Sequence, residues 1–556
     1  MNRKHFRLGA LAMTLCMVWL CACNVRPQGD ADGTGSESGS ETATDTKAEE
    51  TKLKLTEYQV IYAEKATDKT KRAAELLGSR LGRAARPDTV SIGAKEILIG
   101  DTNRAESATA REALTETEAT AFRVAVTNGK VTLVGKDENS IVLGVKRFLG
   151  TALADGETEL AETYGLAYAT DGTITVFEDL SVLEIGEPSV IFGADRYNQS
   201  AKVSYPRVIV LEHNGESNGV MLATMQSLEI DGYRIFRSDD EGKTWKEITQ
   251  VRNRTHDKVL AANWQPTIFE LPTAVGDMPA GTLLLSGCAH RTDGKNDLIT
   301  TLCVWKSTDL GKTWTHISDV ADSYESKGGN GVWEPVFEVT DDGKLVCFYS
   351  DENDRDNHSQ TLLYRTSTDG VHWSESSPAV ALSNPSLRPG MITLVRLNNG
   401  KYFATYEVVG LKGGPVHFRI ADSLTDWGDV SKLGTLMLSG NTGMGTSPAV
   451  GYAPNVGECG MLFVAAEHMV VNGTYDKDTV RSSKLFVSLD YGATWSILDN
   501  PMPYQLPAGL TSAQGYSSNF FTCADGHTVY FSQATDWDWP AYGNQTTNKI
   551  VKMQVW

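Results

Sequence analysis

Ser238-Asp239-Asp240-Glu241-Gly242-Lys243-Thr244-Trp245 is the stretch that decides the fold. Its pattern, Ser-x-Asp-x-Gly-x-Thr-Trp, returns at Ser307, Asp309, Gly311, Thr313 and Trp314, and again at Ser488, Asp490, Gly492, Thr494 and Trp495. A copy one residue shorter is Ser367, Asp369, Gly370 and Trp373, and a degenerate copy runs from Ala421 to Trp427. A strand ending in Ser, a turn closed by Asp and Gly, and a Trp opening the next strand make a hairpin. Asp accepts turn amides, Gly supplies positive φ and Trp packs beneath. The Trp residues follow one another at intervals of 54 to 69 residues, a period that signals a repeat architecture.

A second marker keeps the same phase. A Pro stands near the start of an apolar strand at Tyr205-Pro206, Gln265-Pro266, Glu334-Pro335, Arg388-Pro389 and Ser447-Pro448. Each is followed by strand, short turn and strand, as in Val336 to Val339, Asp342-Gly343 and Lys344 to Tyr349. Four antiparallel strands per unit describe a propeller blade. A sixth unit runs from Tyr516 through Gln533, closed by Lys549 to Val555 and by a strand from near residue 190. The expected fold is mainly β: a six-bladed β-propeller over 182–556, preceded by a small α/β domain.

That α/β domain is expected over 53–165. Tyr58 to Tyr62 and Glu96 to Gly100 read as strands, and Asp68 to Leu81 and Ile141 to Leu149 as helices. Phe122 to Val126 and Lys130 to Val134 read as a hairpin across Thr127-Asn128-Gly129. No catalytic constellation lies in it, so it is read as a packing or positioning unit.

The chain starts with an address. Arg3, Lys4 and Arg7 precede an apolar run from Leu8 to Leu20, and then comes Leu20-Cys21-Ala22-Cys23. This is the form of a secretory signal. The ending resembles a bacterial lipobox, which implies that 1–22 are removed and Cys23 is lipidated. Residues 23–52, polar and acidic, read as a disordered linker. The protein is therefore expected on the extracellular face of the bacterial cell membrane, held only by its lipid anchor, and as a monomer. Among 556 residues the net charge is −19, which excludes a nucleic-acid partner because that needs a basic footprint. Of eight Cys, Cys16, Cys21 and Cys23 lie in the signal region. Cys288, Cys303, Cys347, Cys459 and Cys523 are scattered without metal-ligand spacing, so neither metal nor cofactor is expected. Cys288 and Cys303 sit on neighbouring expected strands; buried free thiols are the preferred reading over a disulfide.

Blade geometry restricts the site. The start of strand one and the end of strand two lie on the same face of a blade. Glu334, Asp351, Glu407 and Glu467 should therefore gather at one mouth of the central channel, with His417 and His468 nearby. Carboxyls that close raise one another's pKa, the setting for two-carboxylate glycoside hydrolysis. Trp264, Trp333, Tyr349, Tyr406 and Trp537 are candidate sugar-stacking rings.

These residues carry a family likeness. The Ser-x-Asp-x-Gly-x-Thr-Trp turns resemble the Asp-boxes of sialidase-like proteins. Asn330-Gly-Val-Trp-Glu-Pro335, Phe348-Tyr-Ser-Asp-Glu352, Arg388-Pro-Gly-Met391, Tyr402-Phe-Ala-Thr-Tyr-Glu407 and Tyr205-Pro206-Arg207 resemble the exo-1,5-α-L-arabinanases of glycoside hydrolase family 93. The likeness implies a six-bladed, retaining enzyme that trims arabinobiose from linear arabinan. It implies Glu334 as nucleophile and Glu407 as acid/base, or the reverse, about 5 Å apart. Substrate contacts are then expected from Tyr205, Arg207, Trp264, Trp333, Asp351, Arg388, Tyr406, His417 and Glu467, with an oligosaccharide or polysaccharide as partner. The α/β layout resembles the small domain that precedes the catalytic domain of some hexosaminidases and α-glucuronidases. Two alternatives stand beside this reading. An exo-sialidase needs an arginine triad and a Tyr–Glu nucleophile; Arg207, Arg388 and Tyr406-Glu407 fit, but Arg481 reads as mid-blade and a third arginine is missing. A non-catalytic glycan-binding propeller would not need Glu334 and Glu407 together.

Overall fold

The computed structural model of the protein describes residues 51–91, 93–115, 120–193, 203–227, 232–252, 261–292, 298–323, 330–479, 481–502, 517–536 and 546–556. The expected signal segment 1–22, Cys23, all but the end of the expected linker, Tyr516 and Trp537 lie outside them.

The repeated turn closes as its residue types require. In the first copy the Ser238 hydroxyl accepts the Gly242 N–H at 2.9 Å, and the Asp240 carboxylate accepts the Thr244 N–H at 2.9 Å and the Thr244 hydroxyl at 2.7 Å. The Trp245 ring N–H returns to the Gly242 carbonyl at 2.9 Å. Gly242 sits at φ +82°, a conformation that costs other residues a Cβ clash. The copies at Ser307 and Ser488 repeat the Ser and Asp bonds.

Each turn joins the third and fourth strands of an antiparallel sheet. Sheet one is Val203–Val210, Met221–Ser227, Tyr233–Ser238 and Lys246–Val251. Sheet two is Ala261–Glu270, Leu283–Thr292, Leu298–Ser307 and Thr315–Asp322. Sheet three is Val332–Val339, Leu345–Asp351, Thr361–Ser367 and Ser377–Val380. Sheet four is Arg388–Arg396, Tyr402–Val409, Val416–Ala421 and Thr435–Leu436. Sheet five is Ala449–Ala453, Met461–Ala465, Lys484–Ser488 and Ser496–Asp499. Sheet six takes Asn519–Thr522, Thr528–Asp536 and Thr546–Val555 from the end of the chain, and adds Val182–Ile185, Thr173–Val176 and Ser189–Gly193 from before sheet one.

The sheets stand in a ring. The first strand of each packs on the first strand of the next, and sheet six returns to sheet one. The core is divided among six seams. Ile235 and Leu285 meet between sheets one and two, Leu284 and Cys347 between two and three, and Phe348 and Ala404 between three and four. Phe403 and Val464 fill the next seam, Phe463 and Phe531 the one after, and Ala223 and Tyr530 close the circle. The first strands surround a central cavity of about 520 Å³, lined among others by Arg207, Thr267, Glu338, Thr393, Val450 and Asn519.

An irregularity recurs on these inner strands. Pairing with the second strand slips between Ser204 and Arg207, Trp264 and Thr267, Trp333 and Val336, and Gly390 and Thr393. Inside each slip one residue has positive φ: Tyr205, Gln265, Glu334 and Met391 at +50°, +48°, +63° and +57°. Ser447 at +49° and Ser517 at +56° hold the matching places before the inner strands of sheets five and six. These are β-bulges, which re-aim side chains at the rim of a sheet. They correct one phase assignment: the unit-four counterpart of Glu334-Pro335 is Met391-Ile392, and Arg388 stands three residues earlier. The proline at Pro389 misled because it lies outside the bulge.

The α/β portion has a six-stranded sheet in the order Arg86–Pro87, Gln59–Tyr62, Glu96–Ile99, Lys130–Gly135, Thr120–Thr127, Gly165–Ala169. Helices Asp68–Arg80 and Glu138–Gly150 match the expected ones. A third helix, Ala105–Thr115, was not legible because AESATAREALT carries too weak an apolar stripe. Thr51–Trp556 form one compact unit. Arg147 pins the α/β portion to sheet six: its guanidinium lies 3.8 Å from the Tyr168 ring centre and 4.5 Å from that of Trp556, and it bonds Glu184 and Gln554.

Candidate active site

Two glutamates meet the bulges. Glu334, itself a bulge residue of sheet three, accepts the Ser350 hydroxyl at 2.9 Å and the Met391 N–H of the next sheet's bulge at 3.1 Å on one oxygen. Gln265 Nε2 approaches the other at 3.4 Å. Glu407 ends the second strand of sheet four and accepts the Ser447 N–H, the bulge amide of sheet five, at 2.9 Å. Gln226, at the end of the second strand of sheet one, likewise accepts the Gln265 N–H at 3.0 Å. The position of Glu407 is thus an architectural socket in which a side chain of one sheet satisfies the bulge amide of the next.

Both carboxylates come up to the Gly390–Met391 segment. Met391 N–H bonds Glu334, and Glu407 Oε1 lies 3.2 Å from where a Cβ on Gly390 would stand. That Cβ would also meet Gln360 Nε2 at 2.7 Å, so residue 390 has no room for a side chain. Burial pushes the Glu407 carboxyl up, and the Glu334 carboxylate beside it adds to this, to about 7. Burial raises Glu334 too, but the Ser350 hydroxyl, Arg388, the Met391 N–H and Arg207 all pull it back. Both acids are raised by burial, and they differ in their partners: Glu334 has two hydrogen-bond donors and two arginines opposing that rise, whereas Glu407 has the Ser447 N–H and Arg388.

The other expected residues divide. Arg388 is paired with buried Glu352 at 2.9 Å and acts electrostatically on both glutamates. Arg207 is spent on the Ser517 carbonyl at 3.0 Å and hydroxyl at 2.7 Å, with its guanidinium 5.7 Å from the Tyr205 ring centre. Trp264 stacks between His290, at 3.6 Å, and Trp333, at 6.0 Å, forming a half-buried aromatic flank beside Gln265 and Glu334. Glu467, buried, accepts the Thr446 hydroxyl at 2.9 Å and pairs with Arg481.

Four expectations are corrected. Asp351 alternates with Ser350 and Glu352 along the strand, so it faces away from Glu334 and takes the Asn353 N–H at 2.7 Å. Tyr406 is fully buried on the face opposite Glu407, where its hydroxyl donates to the Leu433 carbonyl and meets Arg419. His417 lies across from it in register, buried, bonded to the Pro415 carbonyl and held below its usual pKa by burial. Tyr349 is also fully buried and has no sugar-facing surface.

The sequence missed Ser350, Gln265, His290, Gln360 and the bulge amides of Met391 and Ser447. The residue-before-proline marker pointed to Gln265 and Ser447. Arg481 is not mid-blade: it leads into the third strand of sheet five and faces Glu467. A separate small sheet of Leu438–Ser439, Thr442–Gly445, His468–Val471 and Thr474–Tyr475 interrupts the blade and hides that phase. A third arginine therefore exists, but all three are engaged, and the Tyr406 hydroxyl points away from Glu407, so the sialidase pattern is not assembled. Cys288 and Cys303 are buried thiols one register step apart and are not joined by a disulfide, as preferred. Cys303, His316 and Asp319 do come together on the outer strands of sheet two, a set able to hold a metal ion, although His316 already bonds Asp319 at 2.9 Å.

The ring of sheets and its Asp-box turns agree with a match of the BNR repeat-like domain family to residues 218–412. The solved structures most like this chain include the family 93 α-L-arabinofuranosidase of Fusarium graminearum with arabinobiose. It has 28% identity and a TM-score of 0.53, over 66% of this chain and 97% of that one. The same organism's enzyme with an iminosugar inhibitor gives 28% and 0.54 over the same shares. The Penicillium chrysogenum α-L-arabinanase with arabinobiose shares the fold at 24% and 0.53, over 66% and 98%. No curated protein sequence matches the chain. The resemblance to glycoside hydrolase family 93 read from the sequence holds for the structure.

Proposed function

We propose that the protein is a retaining, exo-acting glycoside hydrolase on a six-bladed β-propeller, cleaving arabinan or a related plant polysaccharide. Glu334 is the nucleophile and Glu407 the acid/base. The observation that carries this is the convergence of both carboxylates on the Gly390–Met391 segment, with unequal surroundings. Glu334 accepts two strong hydrogen bonds and feels two arginines, which favour its anion. Glu407 accepts one, lies buried, and keeps a proton to near neutral pH. This difference in hydrogen-bond donors and neighbouring arginines is the basis on which the two roles are divided.

In the first step the Glu334 carboxylate attacks the anomeric carbon. The glycosidic C–O bond breaks and its oxygen takes the Glu407 proton. In the second, Glu407 removes a proton from water, which displaces the sugar from Glu334 and restores both groups. Retention requires carboxyls about 5–5.5 Å apart. Trp264 and Trp333 offer their half-exposed edges to the sugar. Arabinobiose bound in the Fusarium graminearum enzyme supports the substrate class. The chain works as a monomer, exported and held at the cell surface through Cys23, with residues 53–165 as an accessory unit.

The test is hydrolysis of nitrophenyl α-L-arabinofuranoside, nitrophenyl arabinobioside and linear arabinan against a nitrophenyl sialoside. Cleavage of the arabinosides with net retention is expected, and loss of at least about 10²-fold in Glu334→Gln and Glu407→Gln. Cleavage of the sialoside alone, or unchanged rates in both variants, would refute the assignment.

A further inference from the structure

Glu467 is too committed to serve as a sugar ligand. It is 6% exposed, and its two oxygens are taken by Thr446 and Arg481. Its backbone is also fixed: its N–H donates to the Thr446 carbonyl at 3.0 Å, and the Ser482 N–H donates to its carbonyl at 2.8 Å. Thr446 and Ser447 are consecutive left-handed residues, at φ +55° and +49°, and the Ser447 N–H is the one that binds Glu407. Arg481, Glu467, Thr446, Ser447 and Glu407 therefore form one connected chain across sheets five and four.

We propose that the Arg481–Glu467 ion pair is a positioning device that sets the proton affinity of Glu407 without touching substrate. The proposal rests on the reading of Glu407 as the acid/base. Glu467 is linked to Glu407 through Thr446 and the adjacent Ser447 N–H, so its negative charge favours the protonated form of Glu407, and Arg481 cancels part of that charge. The other charged groups facing Glu407 are Glu334 from sheet three, which acts in the same direction as Glu467, and Arg388 from its own sheet, which opposes them. Arg207, from sheet one, acts on Glu334 instead. His468, bonded to Thr446 and the Gly413 carbonyl, is held below its usual pKa by burial and adds no charge at neutral pH. Two opposed substitutions follow. Removing the Glu467 charge lowers the proton affinity of Glu407. Removing Arg481 exposes the full charge of Glu467 and raises it.

The experiment is the pH profile of kcat/KM on nitrophenyl α-L-arabinofuranoside for wild type, Glu467→Gln, Arg481→Gln and Arg481→Lys. The limb on which activity falls with rising pH reports loss of the Glu407 proton. It is expected about one pH unit lower in Glu467→Gln and about one unit higher in Arg481→Gln, with Arg481→Lys near wild type. A merely structural role would lower rates without opposed shifts, and that result overturns the proposal. Carboxyl ¹³C titration of glutamate-labelled protein gives the same reading without turnover, using the resonance lost in Glu407→Gln as the reporter. Opposed shifts of that resonance in a protein that hydrolyses no arabinoside would sink the hydrolase assignment and leave the electrostatic coupling standing. Absence of shifts in an active enzyme would do the reverse.

Discussion

Glu407 carries the proton balance of the site. Its carboxyl is pushed up to about 7 by burial and by Glu334, whereas Glu334, also raised by burial, is pulled back by its donors and two arginines. On the proposed assignment the acid must be protonated and the nucleophile ionised, so kcat/KM should be bell-shaped in pH. The falling limb at high pH belongs to Glu407, near 7, and the limb at low pH to Glu334, above the ordinary carboxyl value of 4.5. A profile still rising beyond pH 8 would exclude this assignment. The same residue should tolerate an amide. Gln226 already fills the equivalent socket in sheet one, accepting a bulge N–H at 3.0 Å as Glu407 does at 2.9 Å. Glu407→Gln is therefore expected to melt within about 1 kcal/mol of wild type while losing turnover. A large drop in melting temperature would mean that the socket needs a charge.

Among the elements, the Asp-box turn makes the most local contribution. Asp309 accepts the Thr313 N–H, the Thr313 hydroxyl and the Ser307 hydroxyl, and these bonds hold its carboxyl below the usual range against the opposing effect of burial. Asp309→Ala leaves the Thr313 N–H without that acceptor and should cost about 1–3 kcal/mol in denaturant unfolding at pH 7. The folded-state pKa is the lower one. The contribution is therefore complete above the unfolded value and is lost as pH falls through the folded one. Wild type and variant should converge in strong acid. A deficit independent of pH would point to packing rather than to the charged acceptor.

For the whole molecule, Arg147 is the joint to watch. It is stacked between Tyr168 and Trp556 and ion-paired with Glu184, and both charged side chains are mostly buried, at 13% and 6% exposure. Removing one partner of such a pair leaves the other charge stranded, at a cost of about 3–5 kcal/mol. Wild type should unfold in one transition over residues 51–556. Arg147→Ala should split it, the α/β portion melting first, as read by calorimetry and limited proteolysis. One unshifted transition would show that the remaining contacts suffice.

Much of this was legible because its causes are local. The Asp-box bonds span at most seven residues, so their residue types and spacing expose the hairpin, its repetition and hence the ring of sheets. The strand ends bearing Glu334 and Glu407 followed from antiparallel geometry alone. Side-chain direction did not. One extra residue in a bulge changes which face a strand presents, and nothing in the sequence around Met391 marks it except register with a partner strand far along the chain. That is why Arg388 reads as a blade entry and why Asp351 and Tyr406 are expected at the mouth; Arg481 is hidden instead by the small sheet that interrupts blade five. The repeated hairpin is written in short-range hydrogen-bonding patterns, and strand ends alone bring Glu334 and Glu407 to one face. The pairing of those acids with bulge amides, serine and arginine was decided only when distant strands met.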